Sequence, residues 1–243
     1  MSILFDANTE GIHYTDAALT ALDAKTIIMV YKVPDNTVSG ITAFKERTAA
    51  SGTADWHILR SSIAAGPDDW QFFTHRATTT SFLRSSGNII QSARWEWVAF
   101  FEDAISVGQI VHGALSGTPI EVAYTLQQQG VGALGASGTT ELMLGNDVAL
   151  ANSANLIIDS LGIWNRRMTV AEALTHHPKI HNSSGCKLLI KPGRKGVVGA
   201  DDYSPNRMAH VVDGVPTVSA DAPIPSRYAS TNVSANSMAG GMA

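Results

Sequence analysis

Apolar positions along this chain come in short runs, each closed by turn chemistry. Lys25 to Val33 (KTIIMVYKV) is β-branched and aromatic and stops at Pro34-Asp35-Asn36. Trp56 to Ile63 (WHILRSSI) is a second run, closed by Gly66-Pro67-Asp68-Asp69. Trp70 to His75 (WQFFTH) and Ser81 to Arg84 follow. Runs of this kind, bounded by Gly, Pro, Asn and Asp, read as strands. Their spacing predicts a sandwich or barrel rather than alternating βαβ units.

Arg94 to Asp103 (RWEWVAFFED) is the clearest strand. Period two puts Trp95, Trp97, Ala99 and Phe101 on one face and Glu96, Val98, Phe100 and Glu102 on the other. Both sets are largely apolar, which predicts a central strand covered on both sides. Ile120 to Leu126 (IEVAYTL) alternates in the same way, and the glycine-rich Gln127 to Gly138 reads as loop. Glu141 to Leu144 is a short strand stopped by Gly145-Asn146-Asp147. In Asn155 to Trp164 (NLIIDSLGIW), alternation groups Ile157, Asp159, Leu161 and Ile163 against Leu156, Ile158, Ser160, Gly162 and Trp164. A carboxylate inside such a strand needs a partner, and Arg166 or Arg167 is expected to supply it. Thr169-Val170-Ala171-Glu172 fits a capping box, opening a helix to about His177 that Pro178 stops. Lys187 to Lys191 is the last apolar run. From about residue 200 onward small residues and prolines replace any periodicity, which predicts an extended or disordered segment. The division expected is therefore a β-sandwich over 1–182 and a C-terminal assembly arm over 183–243, without internal repeats.

Three segments carry a family resemblance. They are Trp95-Glu96-Trp97-Val98-Ala99, then Glu141-Leu142-Met143-Leu144-Gly145-Asn146, then Ile158 through Glu172 (IDSLGIWNRRMTVAE). They resemble the Trp-x-x-Val-Ala strand, the "Gly-Asn" strand and the closing strand-to-helix segment of the laminin-G-like branch of the concanavalin A-like lectin-glucanase superfamily. Phe5-Asp6-Ala7-Asn8 is similar to its first strand. The resemblance is concentrated in residues 90–175. It implies an all-β, two-sheet antiparallel jelly-roll sandwich with one short helix. The family's aromatic-x-Asn/Asp-Gly hairpin is missing, and Val111-His112-Gly113 stands in that region.

Composition narrows the chemistry. Hydrophobic residues make up 44% and charged residues 16% of 243, enough for a sizeable core under a surface of Ser, Thr, Asn, Gln and Gly. A net charge of −4 without basic blocks gives no electrostatic case for nucleic acid. The single cysteine, Cys186, excludes an intramolecular disulfide framework and a Cys-based zinc site. Met1 to Asp6 lacks the charged and apolar regions of a signal peptide, and no run reaches the length of a membrane span, so synthesis in a cytoplasm is expected. Adjacent His176-His177 and His181 are expected to serve a helix end rather than a metal.

Candidate ligand-binding residues are Trp56 and Trp70, which near loop ends are the better candidates for exposure among strand aromatics that more often enter the core, and Asn146, Asp147 and Asn152, whose oxygens suit calcium at a sandwich rim or bond their own backbone in a turn. No other cofactor is expected. Candidate partner-binding residues are Lys187, Lys191, Arg194 and Lys195, with Tyr203, Arg207 and Tyr228. No catalytic residue is expected. Glycoside hydrolases on this fold use a Glu-x-Asp-x-Glu strand, whereas Glu96 and Glu102 are six apart and the adjacent Glu102 and Asp103 face opposite ways. The first functional reading is a virion structural protein of a tailed bacteriophage, in capsid decoration, a head fibre or the tail. It would assemble in many copies with other virion proteins through the C-terminal arm. The alternative is a lectin-like adhesin module holding host glycan through aromatics and Asn or Asp oxygens at the rim or concave face. A glycan-active enzyme is the disfavoured third reading.

Overall fold

The structure is a computed structural model. It describes residues 2–7, 9–19, 22–34, 40–46, 54–61, 69–134, 141–146, 153–191 and 201–219, with 40–46, 54–55, 61 and 217–219 described by their backbone. Two eight-stranded sheets form a sandwich in which every strand pair is antiparallel. The back sheet runs β10 (Ile120–Glu121), β9 (Gln109–Ala114), β8 (Trp95–Glu102), β3 (Lys25–Lys32), β13 (Leu156–Trp164), β1 (Ser2–Phe5), β16 (Thr217–Ser219), with β14 (Cys186–Ile190) also on β13. The front sheet runs β11 (Tyr124–Gln128), β7 (Ser81–Ser85), β6 (Asp69–Thr74), β5 (Ala54–Ser61), β4 (Gly40–Glu46), β12 (Glu141–Leu144), β2 (Gly11–Thr15), β15 (His210–Asp213). The expected all-β jelly-roll sandwich is what the chain forms.

Period two decides what each strand contributes. On β8, Val98 and Phe100 enter the core between the sheets, while Trp97, Ala99 and Phe101 face the other way. Those outward residues are buried too, beneath helix α1 (Val170–Leu174) and its flanks. Trp164, Met168, Ala173, Ile180, Cys186 and Leu189 complete this second apolar cluster. The middle of the back sheet, at β8, β3 and β13, is thus buried on both faces. The capping box forms as the sequence predicts: Thr169 Oγ1 accepts from the Glu172 amide at 3.1 Å, and the Glu172 carboxylate accepts from the Thr169 amide at 2.8 Å. The helix ends at Leu174, with Thr175 as its C-cap, short of the expected His177.

The inward carboxylates at the two ends of β8 are both fully buried and both neutralised. Glu102 accepts from Lys25 Nζ at 2.5 Å and from Arg76 Nε and Nη2 at 2.9 and 2.8 Å. Glu96 accepts from Tyr31 Oη at 2.8 Å and from Arg94 Nε at 3.1 Å, and His112 Nε2 lies 3.3 Å away. Burial pushes the Glu96 carboxyl up, but the bonds and charges of His112, Arg94 and Tyr31 outweigh it and hold the group below the ordinary glutamate value. At about 3.3 Å per residue the two carboxylates stand roughly 20 Å apart, far beyond the 5 to 10 Å that glycoside hydrolysis requires.

Three expectations are corrected. The run Ile120 to Leu126 is two strands, because the chain leaves the back sheet after Glu121 and enters the front sheet at Tyr124. Strict alternation fails on β13: a register shift between Ile158 and Ser160 inserts a residue and flips the phase. Leu156 and Ile158 therefore share the intersheet core with Leu161 and Ile163. Asp159, at that irregularity, pairs with neither arginine. Its Oδ1 accepts from Ser2 Oγ at 3.3 Å, while Arg166 bonds Glu172 at 3.0 Å and Arg167 bonds Gln109 at 2.8 Å. Both arginines lie beyond the end of β13, out of reach of its middle.

The region expected to be an arm also enters the sandwich. β14 pairs β13, β15 pairs β2 and β16 pairs β1, so these three strands add a pairing on β13 and an edge strand to each sheet. Asp202 locks the connection: its carboxylate accepts the amides of Leu189, Ser204 and Met208 at 3.0, 2.7 and 2.9 Å. Residues 220–243 lie outside the described residues.

Candidate functional site

The two outer faces are differently furnished. With Trp70 and Phe72 in the core, Asp69, Gln71, Phe73 and His75 must turn to the outside of the front sheet. The strand register extends this into one row across the sheet. Gln128, Phe82, Phe73, His57, the Phe44 position, Met143, His13 and Val211 are successive cross-strand partners. Phe82 and Phe73 stack with ring centroids 4.0 Å apart and planes at 20°, and Phe73 and His57 stack at 4.4 Å and 24°. All three side chains are half-buried. Cross-strand aromatic pairs are the strongest device a sheet has for fixing side chains in register, so this ridge is rigid. Burial, with His75 nearby, pushes His57 down to about 4, which leaves a neutral imidazole at the end of the stack.

A polar row runs beside the ridge. Leu126, Arg84, Gln71 and Leu59 are cross-strand partners. Asp69, buried at 1% exposure, accepts from Arg84 Nε at 2.6 Å through one oxygen and from Gln71 Nε2 at 3.3 Å through the other. At the far end of the sheet, His13 on β2 bridges two carboxylates, with Nδ1 on Glu141 of β12 and Nε2 on Asp213 of β15. Glu141 and Asp213 are the outer face's closest approach to a paired-carboxylate arrangement. The imidazole stands in the gap between them, where a glycosidic oxygen or a water would have to sit, so the cluster ties β15 to the sheet and leaves no room for hydrolysis there.

The residues predicted from sequence fall elsewhere. Trp56 and Trp70, the tryptophans offered as candidates for exposure, are core residues at 1% and 0%, because their alternation points them between the sheets; the Trp70 indole donates to Tyr31 Oη at 3.1 Å. Asn146 is fully buried, and its Nδ2 donates to the Glu10 carbonyl at 3.0 Å, tying the exit of β12 to the turn after β1. Asp147 and Asn152 lie outside the described residues, as do Arg194, Lys195 and Tyr228. Among the described residues no group of three or more His, Cys, Asp or Glu is arranged to hold a metal ion. Lys187, Lys191 and Tyr203 are half-buried and Arg207 is exposed. Tyr203 packs on the covered side of the back sheet, and the Lys187 carbonyl accepts from Ser204 and Asn206. The structure does not bring these residues to the front face. What the sequence reading passed over is Phe73, Phe82, His57, Gln71 and Arg84. The available signal was the alternation of WQFFTH itself: once Trp70 is inside, Gln71 and Phe73 are outside.

No family model matches the chain, and no curated protein matches it in sequence. Solved structures do match in fold. A protein of Bacteroides ovatus named as a candidate carbohydrate-binding protein superposes with a TM-score of 0.66 at 14% identity over 92% of this chain and 61% of its own. The present chain therefore spans less than two thirds of that protein. The heptameric SAP-like pentraxin of Limulus polyphemus matches with a TM-score of 0.53 at 14% identity, covering 87% of this chain and 94% of the pentraxin. The CBM40 module of the Ruminococcus gnavus IT-sialidase matches with a TM-score of 0.50 at 14% identity, covering 74% of this chain and 99% of the module. At these identities the likeness is one of fold: a two-sheet antiparallel jelly roll.

Proposed function

We propose that the protein binds carbohydrate on the outer face of its front sheet. The observation that carries this reading is the His57–Phe73–Phe82 ridge beside the Gln71–Arg84–Asp69 row, on a sheet face that no helix among the described residues covers. A sugar ring has apolar C–H edges and a rim of hydroxyls. A binding face for it needs rigid apolar surface next to oriented donors and acceptors, and these rows supply both. Two of the structures that share the fold carry carbohydrate-binding names, which supports the same reading. The virion-assembly reading rested on resemblance to virion-associated laminin-G-like proteins and on an arm from residue 183, and β14, β15 and β16 within that stretch pair with strands of the sheets.

The test is a glycan panel followed by titration calorimetry on the intact protein. At least one glycan should bind. Phe73→Ala and Phe82→Ala should each weaken it about tenfold, the equivalent of about 1.4 kcal/mol. An empty panel, or a hit whose affinity both variants leave unchanged, would falsify the reading.

A further inference from the structure

Arg84 is held in an unusual way for an arginine that merely balances a buried carboxylate. Asp69 engages it through Nε alone, at 2.6 Å, and spends its second oxygen on the Gln71 amide. The two Nη groups of Arg84 have no partner among the described residues. The side chain is 28% exposed against 1% for Asp69, so the Nη end of the guanidinium points away from its anchor towards solvent. Asp69 is also the sole carboxylate among the outer-face positions of β6, β7 and β11. A guanidinium keeps its charge, and its paired Nη donors match the two oxygens of a carboxylate. Fixing that fork in advance by Nε lowers the ordering cost of using it.

Its surroundings define the rest of the ligand. Leu126, 38% exposed, is its partner on one side, and Gln71 is its partner on the other. The Phe82–Phe73 stack lies two residues along the same strands, about 7 Å away. A charged fork one sugar-width from an apolar ridge suits a pyranose that carries its own carboxylate.

Resting on the carbohydrate reading above, we infer that the front face selects acidic sugars, of the uronic or sialic acid class, with Arg84 as the carboxylate-binding residue. The ring then lies on Phe73 and Phe82, and Gln71 donates or accepts at a hydroxyl.

The experiment titrates the full chain with 3′-sialyllactose, a glucuronic acid-terminated disaccharide, lactose and 3′-sulfolactose. At least one carboxylated sugar should bind ten times or more tighter than lactose. Arg84→Gln should remove that advantage, bringing the carboxylated sugar to within about twofold of lactose on the same variant, since a lost bidentate contact of this kind is worth about one decade. Arg84→Lys keeps the charge without the fork and should recover only part of it. Arg84→Gln leaves Asp69 buried without its cation, so the double variant Asp69→Asn/Arg84→Gln is measured alongside it. A folded double variant must show the same loss. Equal binding of lactose and the carboxylated sugars would overturn the acidic-sugar inference while leaving carbohydrate binding intact. Preference for the sulfated sugar over both carboxylated ones would overturn the assignment of the fork to a carboxylate. Full acidic-sugar affinity in the double variant would remove Arg84 from the site. Binding of none of the four, together with an empty glycan panel, would sink the underlying reading itself.

Discussion

The outer faces of the two sheets are built from the same alternation and put to opposite use. On the back sheet the outward residues of β8 are Trp97, Ala99 and Phe101, and helix α1 with its flanks covers them. On the front sheet the outward residues of β6 and its end are Asp69, Gln71, Phe73 and His75, and no helix among the described residues lies over them. A sheet gains stability from a covered apolar face, and a polar-aromatic face gains nothing comparable by being sealed. On the proposed reading stability and recognition are therefore separable in this fold, one on each side of the sandwich. The two inward carboxylates of β8, Glu96 and Glu102, are each satisfied by cations.

The sharpest way to break that comparison is to truncate one large residue on each face. Trp97→Ala opens a cavity in a fully buried cluster and should cost about 3–5 kcal/mol of unfolding free energy. Phe73→Ala removes a half-buried ring and should cost roughly 1–2 kcal/mol, while abolishing most glycan affinity. Urea denaturation of both variants checks this. Similar losses of stability from the two would mean that the faces are not divided as described.

The covered face should also set part of the acid limb of stability. His176 is buried at 2% exposure against Trp164 and stacks on His181 at 3.9 Å. Burial, then the neighbouring His181, pushes it from 6.5 down to about 4. A histidine depressed in the folded state binds fewer protons there than when unfolded, so stability rises with pH across this window. As pH falls from about 6.5 the unfolded chain takes up a proton that the folded chain refuses. The loss continues to about pH 4 and then levels, at about 1.4 kcal/mol for each pH unit crossed. His176→Gln should flatten the stability profile between those limits. An unchanged slope would show that the site accommodates the charge.

How much of this was legible in the sequence depends on the range of the signal. β8 and the capping box were readable because their determinants lie within ten residues: strict alternation in one case, Thr169 with Glu172 in the other. The faces of β13 were misassigned because a bulge is a property of the pairing with β3 and leaves no mark in the strand's own composition. Strands β15 and β16 were missed because edge strands half-exposed to water need few apolar residues, and their partners β2 and β1 are about 200 residues away. The candidate site was invisible for the same reason. His57, Phe73 and Phe82 align only once three strands pair. Trp56 and Trp70 drew attention by size, but size on an alternating strand favours the interior.

The smallest effect tests whether the cover of the back sheet forms independently of the front face. Thr169→Ala removes the hydroxyl that caps α1 and leaves the Glu172 amide without its acceptor. Such a cap is worth about 1 kcal/mol. The helix has only five residues, too few to persist alone, so the cap acts by fixing the entry of the chain over Met168 and Ala173. Unfolding free energy should fall by about that amount, because the apolar cluster beneath still holds the segment. Glycan affinity should stay within twofold, because the helix and the His57–Phe73–Phe82 ridge lie on opposite sides of the intersheet core. A variant that lost sugar binding along with its cap would couple the two faces, and the division of labour between them would have to be abandoned.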